Sequence, residues 1–163
     1  GLVESKPNKG SGVLGISPQD IEDIYTIKLE LEGLAAKLAA ERITPEELTE
    51  LEETVSMTEF YMKKGDVDKM VDSRFHDIIC KAGKNRPLRD MMSNYHNFVK
   101  RARHKSLVTT PDRIPRMLTE HRRIMQAIAA GDGELAKSLA VEHISKARVS
   151  ISKAIHEKDA DKQ

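Results

Sequence analysis

The chain has 163 residues, 39% of them hydrophobic and 33% charged, with 27 Lys and Arg against 26 Asp and Glu. This is enough for one core of ordinary size and too little for two full domains. A net charge of +1 argues against a whole-surface polyanion binder and an acidic disordered tail, and no apolar run approaches the ~20 residues of a membrane span.

At the front, Leu2-Val3 and Val13-Leu14 flank the turn-rich Pro7-Asn8-Lys9-Gly10, with Gly12 and Gly15 nearby. The pattern is that of a short β-hairpin or a loop. A lone hairpin leans on a larger body and no later segment reads as a strand. The chain is therefore expected to begin inside a longer domain, residues 1–16 being its remnant and linker. No long apolar stretch of a cleavable signal is seen.

From Ser17 onward the period is helical. Ser17 and Pro18 read as an N-cap and first helical position. Ile21, Ile24, Tyr25, Lys28, Leu31, Ala35 and Leu38 continue the helix to about Glu41. Thr44-Pro45-Glu46-Glu47 is a capping box opening a helix that Gly65 stops. Asp66 is placed to cap a third helix ending near Gly83, in which Cys80 is a small buried apolar residue. One unpaired cysteine suits a reducing cytoplasm. After Asn85 a helix carries Leu88, Met91, Met92, Tyr95, Phe98, Val99 and Ala102, broken at Thr109-Thr110-Pro111. Helices then span about Arg113–Ala130 and, from Asp132 or Gly133, to about His156, followed by a flexible tail at 158–163. With Trp absent and aromatics at 4%, the expectation is an all-α antiparallel bundle of about six to seven helices over residues 17–157.

Two histidines stand where a helix should present an apolar residue. His121 falls among Ile114, Met117, Leu118, Ile124, Met125 and Ile128, and His143 among Leu135, Leu139, Ala140, Ala147 and Ile151. A buried imidazole lacking a partner costs ~1–3 kcal/mol, so each needs a hydrogen bond or a metal. Asp72 and His76, four apart, share one helix face at the edge of an apolar stripe. One carboxylate and three imidazoles on three helices suit Zn(II), Ni(II) or Mn(II). The plainer alternatives are core histidines with hydrogen-bond partners and a surface Asp72–His76 pair.

The same residues carry a resemblance. Asp72-Ser73-Arg74-Phe75-His76 resembles the D-x-x-F-H motif of the FCD-type effector-binding domain of GntR-type transcription regulators. Ala82-Gly83-Lys84-Asn85 is similar to the A-G-N turn of that family with Lys84 inserted. Glu120-His121, Ala127-Ile128, Gly131-Asp132, Ala136 and His143-Ile144 resemble its later segments, and Leu29-Glu30 through Ala40 its first helix. The resemblance covers about residues 17–150. It implies a metal on Asp72, His76, His121 and His143, and a small carboxylate effector such as an organic or sugar acid. It also implies a homodimer, and a wing hairpin at the front that offers Lys6 and Lys9 to operator DNA. The base-reading helix would lie outside this chain.

Lys28 stands where many relatives carry Arg facing the ligand cavity, so it is an effector-contact candidate, with a solvent-facing lysine as the alternative. Arg101, three after Phe98, is the second candidate; otherwise it belongs to a charged face toward water or a dimer partner. A mononuclear metallohydrolase is the reading from another class. Its general acid or base would have to be Glu120 or Asp77, and Glu120 points about 100° away from His121. The expectation is a regulator rather than an enzyme.

Overall fold

The computed structural model describes the backbone over residues 3–6, 10–13, 18–66, 72–93 and 113–160, and side chains over 19–20, 22–66, 73–93 and 113–153. At the front, β1 (Val3–Lys6) pairs antiparallel with β2 (Gly10–Val13), Val3 opposite Val13 and Lys6 opposite Gly10. The rest of the described chain is helical: α1 (Pro18–Arg42), α2 (Pro45–Lys64), α3 (Asp72–Ala82), α4 (helical over 86–93), α5 (Arg113–Ala129) and α6 (Gly133–Ala160).

The helix boundaries follow local chemistry. The Thr44 hydroxyl accepts the Glu47 N–H while the Glu47 carboxylate accepts the Thr44 N–H, satisfying two amides that a helix start leaves open. At the other end of α2, Gly65 turns left-handed at φ 69° and returns its N–H to the last turn, which glycine adopts without steric cost. Lys84, the residue inserted in the A-G-N comparison, also sits left-handed at φ 51°. The helix start expected just after Asp66 falls on residues 67–71, which lie outside those described, and α3 is described from Asp72. The final helix continues to Ala160, beyond His156.

The core is built on the antiparallel contact of α1 with α6. Ala35, Ala36, Ala39 and Ala40 face Ala136, Leu139 and Ala140, small residues that let two helix axes approach closely. A Cβ on Gly33 would lie 2.8 Å from Val141 Cγ2, so position 33 takes a side chain only if Val141 shifts. Phe75, Ile78, Ile79 and Ala82 of α3 and Leu118, Ile124, Ala127 and Ile128 of α5 close the same cluster. Two stripe assignments fail: Met91 and Leu135 are exposed, at the margins of their helices' apolar faces. Lys28 is not a solvent-facing residue; it is fully buried.

Candidate metal centre

His76, His121 and His143 come from α3, α5 and α6, and each is at most 2% exposed. His76 lies between Phe75 and Ile78 on the buried face of α3, not at the edge of that stripe. His121 and His143 replace apolar residues in the stripes of α5 and α6, as their spacing predicts. One ring nitrogen from each lies within 4.8 Å of the others. The Nε2 atoms of His121 and His143 are 3.3 Å apart, and the Phe75 ring stacks on His121 at 3.9 Å between centroids. Asp72 opens α3 one turn before His76, but its side chain is outside the described residues. So are the side chain of Lys6, which ends β1, and the whole of Lys9 and Arg101.

Two carboxylates hold the histidines from behind. Glu32 of α1 is 3% exposed; its Oε2 lies 3.0 Å from His76 Nδ1, and its Oε1 takes the Lys28 ammonium. Glu120 of α5 has Oε2 2.8 Å from His143 Nδ1 and 2.7 Å from Arg113 Nη2. Its Oε1 is 3.5 Å from Lys146 Nζ. A carboxylate at Nδ1 puts the imidazole proton on Nδ1 and leaves Nε2 as the lone-pair nitrogen. His76 and His143 are therefore oriented as metal-binding histidines are, with the ring fixed by a carboxylate.

The donor set fits a divalent ion. With metal–nitrogen bonds of about 2.0–2.1 Å, two ligands at a tetrahedral angle stand ~3.3 Å apart, which the His121–His143 spacing matches. A cavity of about 10 Å³ bordered by Glu32, Phe75, His76, His143 and Ile144 is the size of a single water or ion. Nitrogen and oxygen donors of this kind suit Zn(II), Ni(II) and Mn(II) alike.

Sequence reasoning passed over Glu32, Glu120 and Arg113. A signal existed for Glu32, since Tyr25, Lys28, Glu32, Ala36 and Ala39 follow one helical stripe. Glu120 was set aside because it turns away from His121. It does, and that turn directs it to His143 on the next helix. Cys80 is buried as expected, and burial pushes its thiol up to about 12.

The FCD domain family profile matches residues 23–146. The HTH-type transcriptional regulator YdhC of Bacillus subtilis is 27% identical over 148 residues, covering 89% of this chain. The chain spans only 66% of that relative's length. Among solved structures, Escherichia coli McbR/YncC superposes with a TM-score of 0.78 at 22% identity, over 89% of this chain and 74% of its own. The metal-free FCD domain of TM0439 superposes with a TM-score of 0.72 at 19% identity, over 88% and 99%. At such identities the two structures establish a common fold.

Proposed function

Because this chain belongs to the FCD domain family of GntR-type transcription regulators, we propose that residues 17–157 are the metal-dependent effector-sensing and dimerisation domain of such a regulator. The family and its relatives are regulators rather than enzymes, so the metallohydrolase reading is set aside. The observation that carries the proposal is the convergence of three buried imidazoles, two of them held at Nδ1 by carboxylates. His76, His121 and His143, with Asp72 as the fourth ligand, would hold a divalent ion, with zinc the first choice and nickel or manganese the others. That ion would supply a Lewis-acidic coordination position for an effector oxygen.

The effector is a small carboxylate, an organic or sugar acid, contacted by Lys28 and Arg101. Lys28 is already paired with Glu32, so an incoming carboxylate competes with an internal one for the same ammonium. Such competition favours ligands that also gain the metal contact. Residues 1–16 act as the end of a DNA-binding wing with Lys6 and Lys9 near phosphate. The regulator works as a cytoplasmic homodimer whose two heads read paired half-sites. Effector binding regulates by favouring one arrangement of the two protomers.

The test is elemental analysis and native mass spectrometry of the chain and of its His121→Ala/His143→Ala form, both prepared without chelator. One metal per chain, lost in the variant together with effector affinity, is the expected result. Retention of one metal per chain by the variant refutes the ligand assignment. A second reading, a metal-free helical ligand domain, is favoured by one distance: at 3.3 Å the His121 Nε2–H can donate to His143 Nε2. A stable parent protein carrying no metal decides for it.

A further inference from the structure

A groove of about 550 Å³ runs along the outer face of α5 and α6. Four cationic side chains line it, Arg113, Arg116, Arg123 and Lys146, against a single carboxylate, Glu120. That carboxylate is committed, accepting from Arg113 Nη2 and His143 Nδ1 at 2.7 and 2.8 Å. Glu142 accepts from Lys146 at 2.5 Å and stands 4.0 Å from Arg123. Two donors remain. Arg116 forms no ion pair among the described residues, and Arg113 Nη1 is buried with no hydrogen-bond partner among them. Both belong to the first turn of α5, a 17-residue helix whose N-terminal end carries partial positive charge.

The groove is the size of sites that take metabolite-sized ligands. Along α5, Arg113 and Arg123 are ten residues and thus ~15 Å apart, so one anionic group cannot engage both ends. A ligand that spans them needs at least two.

We propose that the α5–α6 groove binds a small polyanion, one carboxylate or phosphate group meeting the uncommitted donors of Arg113 and Arg116 and another taking the place of the exposed Glu142 carboxylate against Arg123 and Lys146. This site is separate from the histidine centre and does not depend on the sensing function proposed above. It is nevertheless linked to that centre. Arg113 and Lys146 hold Glu120, and Glu120 holds His143, so an anion drawing on the two cations is coupled to the orientation of that imidazole.

The test is isothermal titration of the whole 163-residue chain, treated with EDTA and dialysed, with citrate and separately with pyrophosphate. Working without metal keeps the histidine centre from contributing. One-site binding of at least one probe is expected, weakened roughly tenfold or more in Arg116→Ala/Arg123→Ala and weakened again by added salt. Whichever probe binds more tightly assigns the carboxylate or the phosphate chemistry. Both substituted residues are on the exposed side of α5, so an unchanged circular dichroism spectrum and melting midpoint accompany the loss. The proposal is overturned if neither probe binds at roughly 10 mM, or if the variant binds as tightly as the parent. Binding of duplex DNA by the parent, lost in the variant while both small anions fail, overturns it in favour of a nucleic-acid surface.

Discussion

Replacing Glu120 by alanine removes the acceptor shared by Arg113 and His143. Arg113 is 7% exposed and Glu120 9%, so their 2.7 Å ion pair is largely desolvated at the floor of the α5–α6 groove. Removing one partner of a buried pair costs about 3–5 kcal/mol, because the other charge stays desolvated. The Lys146 contact adds little, being 3.5 Å long and made by a half-exposed side chain. A loss near 3 kcal/mol is expected for Glu120→Ala. For a chain of this size that lowers the melting midpoint by roughly 6–12 °C. Urea unfolding should show a lower midpoint at unchanged m-value. The same substitution frees the His143 ring, so metal affinity should fall about 10–100-fold. Glu120→Gln keeps the one oxygen that Arg113 Nη2–H and His143 Nδ1–H share but loses the negative charge and turns its amide toward Lys146, and should fall between. A stability loss under about 1 kcal/mol for Glu120→Ala would refute the idea that this carboxylate organises the α5–α6 side of the site.

The matching arm on α1 gives a second expectation. Glu32→Ala should destabilise by about 3 kcal/mol, while Lys28→Met/Glu32→Leu, which removes both charges, should lose less than Glu32→Ala alone; chemical denaturation of the three forms checks it. Gly33→Ala places a methyl group 2.8 Å from Val141 Cγ2 and should cost about 1–2 kcal/mol after the gain in helix propensity. In Gly33→Ala/Val141→Ala the two effects should be clearly non-additive; additive losses would mean that the crossing has room. The Cys80 thiol, pushed up by burial to about 12, should resist iodoacetamide in the native protein at pH 8 and react on unfolding. Because the folded value is raised, its contribution is fully present below about pH 9. It is lost between pH 9 and 12, where the unfolded thiol ionises first, at ~1.4 kcal/mol per pH unit. Cys80→Ala should flatten that part of the alkaline unfolding curve.

Much of the scaffold is written locally. The Thr44–Glu47 capping box, the left-handed Gly65 and the alanine run of α1 depend on neighbours within one or two turns, and each appears where its residues stand. His121 and His143 were conspicuous because a polar ring interrupts an apolar stripe, and both are buried. Leu135 and Met91 were misassigned for the converse reason. Periodicity marks a face, but a residue at its margin is covered only if a neighbouring helix reaches it, and here none does.

The amino-acid sequence alone determined the helical class, both ends of α2, the three histidines and the FCD kinship, since these reside in spacing and residue type. Tertiary structure decided which groups surround those histidines. Glu32 meets His76 across 44 residues of chain, and Glu120 meets His143 across 23. No periodicity within a helix encodes such a meeting. The first exists because α1 packs on α3 and the second because α5 packs on α6 with its Glu120 turned toward that helix. Lys28 shows the same division: its place on the inner stripe was legible, whereas its pairing with Glu32 followed only from the space that packing left.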